Sequence, residues 1–136
     1  MASILKVDDL RGNTAAGDIT ITSEGGAATM QLQQGLTKAW VGYETVSGTS
    51  ILDSFNTSSI TDNGTGDNSP QWTNSFSNDD YAASGIAGIG GRRMFVHGGA
   101  KSDQTTSQIR NMTAGENTAA HYDCDQVACM AVGDLA

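Results

Sequence analysis

Residues 50–85 read SILDSFNTSSITDNGTGDNSPQWTNSFSNDDYAASG, and this stretch decides the fold. Apolar Leu52, Phe55 and Ile60 are spaced by Ser, Thr and Asn, the pattern breaks at 62–67, and aromatics resume at Trp72, Phe76 and Tyr81. Asn63-Gly64 supplies two neighbouring positions that tolerate positive φ, so a tight reversal is cheap there. Flanked by β-forming residues, the stretch predicts a strand, a turn and a returning strand. Pro70 has no N–H for a ladder and is expected at an edge or in the loop before the returning strand.

Further strands are expected on both sides of this hairpin. Residues 18–22 (DITIT) alternate polar and apolar, as a half-buried strand does. Residues 27–36 leave a short helix and a strand both open, because Met30 and Leu32 are two apart while Gln and Ala favour helix. In 38–43 (KAWVGY), Trp40 and Gly42 share one face, Val41 and Tyr43 the other. Residues 82–91 (AASGIAGIGG) are small, which suits either a strand approached closely by another backbone or a plain loop. Residues 92–97, 105–112 and 127–132 are three more candidates, with Ile109 assigned to the core. Short strands about ten residues apart, separated by turn residues, indicate an all-β antiparallel sandwich or barrel-like sheet. Residues 1–38 read as an N-terminal arm or docking segment and 39–136 as the β-rich domain.

The chain has 136 residues, 38% of them apolar and 16% charged. Three Phe, two Trp and few large aliphatics make a thin core. Burial completed by neighbouring subunits follows, and such pairing also hides sheet edges. The net charge of −8 and the scattering of seven Lys and Arg exclude the basic stripe that a nucleic-acid binder needs. No apolar run reaches the length of a membrane span or a signal sequence, so no membrane insertion is expected. Synthesis in a cytoplasm follows from that reading.

Residues 62–67 (DNGTGD) hold oxygen ligands around glycines but lack the EF-hand order, and a hairpin turn accounts for them. His121, Asp123 and Asp125 would share one face of a strand and could hold a divalent metal if copies met on an axis, although a solvated polar edge is the plainer reading. Cys124 and Cys129 are too few for a disulfide framework or zinc site, and read as reduced thiols or a bridge across a short turn. Neither a nucleophile elbow nor a phosphate loop is present, so no enzyme and no cofactor is expected. Trp72, Tyr81, Asn78 and Asp79 are the candidates for a receptor-binding surface, aromatics giving area and amides adaptable hydrogen bonds. Trp40 and Phe55 are assigned to the core instead.

Residues 55–67 (FNTSSITDNGTGD), with 78–81 (NDDY) downstream, the ending 132–136 (VGDLA) and the opening 5–14 (LKVDDLRGNT), resemble segments of tail-fibre-like virion proteins of tailed bacteriophages. Only the central block is specific. The resemblance implies a non-enzymatic homotrimer on the virion, partnered by tail or baseplate proteins and attaching to a host surface glycan or protein by repeated weak contacts. The opening would dock through Ile4, Leu5, Val7 and Leu10. The alternative is a capsid decoration or head-fibre protein that stabilises the capsid.

Overall fold

A computed structural model describes residues 5–13, 19–22, 26, 28–89, 91–98, 100–115 and 120–136. Strands account for 54% of the chain, with almost no helix, in antiparallel sheets that include a curled half-barrel. The all-β expectation holds. Two compact units divide the chain, residues 1–36 and 37–136.

The first unit holds a small hairpin, β1 (Thr20–Thr22) against β2 (Thr29–Gln31), followed by a 3-10 turn over Gln33–Gly35. The ambiguity at 27–36 resolves into both halves, a strand and then one tight turn. Asp18, expected to open β1, lies outside the described residues.

In the second unit the order along the main sheet begins with β4 (Ser50–Phe55), β3 (Ala39–Glu44), β12 (Gln126–Val132), β7 (Ala82–Ile89) and β8 (Gly91–His97). It continues through β11 (Asn111–Gly115), β6 (Asp67–Trp72), β10 (Gln108–Ile109) and β9 (Gln104–Thr105), and β5 (Thr57–Gly64) pairs with β6 off this path. The sheet curls at β8. That strand meets β7 only through Gly88↔Arg92 and Ile89↔Gly91, then pairs with β11 along residues 93–97. One layer is therefore β4-β3-β12-β7, the other β5-β6-β10/β11-β8.

The core lies between the layers. Val41 and Tyr43 from β3, and Val127, Cys129 and Ala131 from β12, face Trp72, Phe76, Tyr81 and Ile109, with Ile60 and Phe95 packed alongside. Ile109 is in the core, as expected. Cys124 and Cys129 are both buried free thiols. Tyr43 Oη and the Asn111 amide are buried there, and burial pushes the Tyr43 hydroxyl above its ordinary range, with the neighbouring Asn111 side chain acting against that rise.

Three local expectations are corrected. The stretch 52–60 is two strands, because Asn56 adopts a φ of 56°, a left-handed conformation that Asn tolerates better than most residues. Its side chain holds the corner: Nδ2 donates to the Lys38 and Asn74 carbonyls, at 3.0 and 3.1 Å, and Oδ1 accepts from the Asn74 backbone N–H at 2.7 Å. The reversal after β5 falls at Thr65-Gly66 rather than Asn63-Gly64. Gly66 has a φ of 62°, and a Cβ there would lie 2.6 to 2.8 Å from backbone atoms of Tyr122 and Thr113. Only glycine fits.

Pro70 is the third correction. It sits inside β6, which has partners on both sides. On one side those partners change, from Asn111↔Asn68 to Gln108↔Gln71. Between them Arg110 turns away, its N–H donating to the Asp103 carbonyl and its carbonyl accepting from Gly98. The missing donor therefore falls at a break in the ladder, where proline is tolerated.

Candidate functional site

The receptor-binding assignment of Trp72 and Tyr81 is overturned by burial. Both are 5% exposed. Trp72 Nε1 donates to Tyr81 Oη at 3.1 Å, Tyr81 Oη donates to the Gln108 carbonyl at 2.7 Å, and the Phe76 ring stacks on Tyr81 at 4.0 Å. Burial pushes the Tyr81 hydroxyl up to about 12. An aromatic cluster that satisfies its own polar ends closes the core and has nothing left to offer a ligand.

Asn78 is exposed, but its Oδ1 accepts from the Asp80 N–H at 2.9 Å and so shapes its own loop. Asp79 is half-buried, and its carbonyl accepts from Lys101 Nζ and Gln104 Nε2. The four candidates thus split into two core rings and two residues that fasten a loop.

His121, Asp123 and Asp125 do not share a strand face. His121 makes a single bridge to Ala114, and residues 122–125 are irregular. Asp123 Oδ1 accepts the Gly66 N–H at 2.8 Å, and Cys124 is clasped by Thr45, whose Oγ1 accepts the Cys124 N–H at 2.8 Å. That clasp draws the segment out of strand geometry. Among the described residues, no three His, Cys, Asp or Glu side chains come together as a metal site.

In 62–67, Asp62 Oδ1 accepts the Gly64 N–H, and the Asp67 carboxylate takes Arg110 Nε at 2.8 Å and Nη2 at 2.5 Å. Arg110 holds the Asp67 carboxyl below its ordinary range. The oxygens that suggested calcium are spent on a turn and an ion pair. Of the docking residues, Leu5, Val7 and Leu10 are exposed, at 77%, 53% and 49%, and Ile4 lies outside the described residues.

The feature that stands out is one that the sequence reading placed on the wrong side. On β3 the buried face is Ala39, Val41 and Tyr43; on β12 it is Val127, Cys129 and Ala131. The opposite face of this layer points to solvent and is apolar too. Phe55, Trp40, Met130 and Ser84 form one cross-strand row, and Asp53, Gly42, Ala128 and Ile86 the next. Phe55 is 54% exposed, Trp40 38%, Met130 43% and Ile86 66%. Trp40 and Phe55 are therefore not core residues. Trp40, Met130 and Ile86 line a groove of about 390 Å³ floored by Gly42 and Ala128. Asp53, opposite Gly42, is the one charged residue in these two rows.

A half-exposed antiparallel layer ordinarily alternates apolar inside with polar outside, whereas strands covered on both faces read as continuous apolar runs. β12 reads Val127-Ala128-Cys129-Met130-Ala131-Val132, a continuous run. That was the available signal. Scattered exposed apolar residues are normal, but a contiguous patch of several large ones marks an interaction surface.

Comparison with protein-family models, with curated proteins and with solved structures returns no match to this chain.

Proposed function

We propose that this chain is a structural, non-enzymatic subunit of a bacteriophage virion. In this reading it is a tail-fibre-like homotrimer that contributes to host attachment through contacts repeated on each copy. The resemblance of residues 55–67 and 78–81 supports the virion assignment. One physical observation carries the assembly part. β12 at the middle of the β4-β3-β12-β7 layer is a continuous apolar run, as strands covered on both faces are, and a single copy covers one face of it. Further copies supply the missing cover. The receptor-contacting residues are not the buried Trp72 and Tyr81, and lie on exposed loops instead.

Immunogold electron microscopy of intact particles with antibody against this chain tests the reading. Gold at the tail is expected, together with competition between purified protein and particles for host cells. Gold spread over the head would replace the fibre by a capsid decoration protein, whose removal then weakens the capsid. An absence of gold from purified particles would overturn the virion assignment.

A further inference from the structure

The four-stranded layer has two open margins. Among the described residues, β4 pairs with β3 alone and ends the sheet. β7 pairs with β12 over Gln126–Val132, but of its eight residues only the last two, Gly88 and Ile89, meet β8. Its first six residues, Ala82 to Ala87, have no strand on their second side among the described residues. Both margins are mostly exposed, although Gly85 of β7 lies against the Phe95 ring and shares a groove with Gln104 and Ile109. Ser50 to Asp53 and Phe55 of β4 are exposed, as are Ala82, Ala83, Ser84 and Ile86 of β7. Unpaired strand edges of this kind are templates for another strand.

Resting on the assembly reading above, we infer that β4 of one copy pairs antiparallel with the open edge of β7 in the next, joining copies head to tail into a closed ring.

Three observations fit the two edges to each other. The first is length, since β4 has six residues and six residues of β7 are open. The second is direction. Each neighbour in β4-β3-β12-β7 is antiparallel to the last, so the outer two strands run oppositely. A rotation about an axis along the strands preserves direction, so the β4 of a neighbouring copy arrives antiparallel to β7. A layer of four strands can propagate this way without a parallel junction.

The third is chemistry. β4 brings the large side chains Ile51, Leu52 and Phe55, while the open part of β7 is Ala, Ser and Gly around a single Ile86. Large against small allows close packing across a seam. The seam is also nearly free of charge in a chain of net −8, so identical copies meet there with least repulsion. Asp53 is its one charge, and its Oδ1 accepts the Ser54 N–H at 2.8 Å. Among the remaining open edges, that of β5 is polar and carries two register shifts against one in β4, features that keep an edge unpaired.

Such a junction is heterologous, so a cross-link needs one cysteine on each edge. Leu52→Cys is combined in turn with Ala82→Cys, Ser84→Cys and Ile86→Cys to cover neighbouring registers, and treated with a short bismaleimide. The native Cys124 and Cys129 are buried and give a low background. Circular dichroism matching the parent chain screens each variant for folding, and sedimentation velocity reports its size.

The expected result is a denaturing-gel ladder ending at the ring size for at least one double variant, with each single variant remaining one chain. A dimer from Leu52→Cys alone, or from Ser84→Cys alone, would mean like edges pair and would overturn the inference. Oligomers in solution without any cross-link would also overturn it, leaving the assembly reading in place with another surface in use. A single-chain species at every concentration would sink both.

Discussion

The two faces of β3 and β12 differ less in chemistry than in company. Inward, Val41, Tyr43, Val127 and Cys129 meet the aromatic cluster of Trp72, Phe76 and Tyr81. Outward, Trp40, Ala128 and Met130, beside Ile86 of β7, make an apolar patch that meets solvent, bordered by Glu44 and Gln126. The comparison teaches that side-chain character alone does not tell core from interface. The second layer does, and here a second layer covers only one side.

The sharpest way to break this comparison is to truncate one large ring on each side. Phe76→Ala removes a fully buried ring and is expected to cost about 3–5 kcal/mol in urea unfolding. Trp40→Ser loses cross-strand contacts with Phe55 and Met130 and is expected to cost the isolated chain about 1 kcal/mol, well below the loss at Phe76. If Trp40→Ser unfolded dilute protein as readily as Phe76→Ala, the outer face would be core after all.

Alkaline titration sharpens the difference, because the inner face holds buried protonated groups. Burial raises the Cys129 thiol from 9.0 to about 11 and the Tyr81 hydroxyl from 10.0 to about 12. A pKa raised on folding means that the folded state keeps the proton longer. The associated stability is fully present below pH 9 and is lost as pH rises from 9 to 12. For Cys129 alone the loss amounts to about 2–3 kcal/mol, read from urea midpoints at pH 8 and pH 11.

The opposite sign applies to Asp67, whose carboxyl is lowered by the hydrogen bonds from Arg110. Its contribution is present above the ordinary carboxylate pKa and disappears as pH falls through the lowered value. Asp67→Asn is expected to flatten the decline of thermal stability below about pH 4. An unchanged acid profile in that variant would remove the ion pair from the account.

The smallest effects on folding and the clearest on assembly belong to the outward face of the layer. Met130→Ser is expected to leave the unfolding midpoint of dilute protein within about 0.5 kcal/mol and to weaken self-association about tenfold, which is about 1.4 kcal/mol. Asp53→Ala is expected to strengthen association by a smaller factor, since it removes the one charge in the two outward rows. Sedimentation equilibrium measures both.

Much of the fold was legible because alternation and turn residues act locally. The strands at 39–44, 91–97 and 126–132 and the core position of Ile109 follow from such patterns. The rest depended on partners far along the chain. Pro70 looked like a loop residue because a ladder ordinarily needs every N–H; nothing local announces that Arg110, forty residues on, breaks the ladder opposite it. Trp72 was read as exposed for the same reason. Trp40 and Val41 alternate equally well with either one inward, so the pattern could separate the faces but not rank them. His121, Asp123 and Asp125 have the spacing of a strand face, and the clasp of Cys124 by Thr45 removes them from it.

The central claim is that the outer face around Trp40 is covered by further copies of the chain. Of the two tryptophans only Trp40 reaches solvent in one copy, so Trp72→Phe leaves a single reporter on that face. Its fluorescence and acrylamide quenching are measured over a dilution series. A blue-shifted, protected Trp40 is expected at high concentration, becoming red-shifted and quenchable on dilution. A Trp40 equally open to acrylamide at every concentration would contradict it.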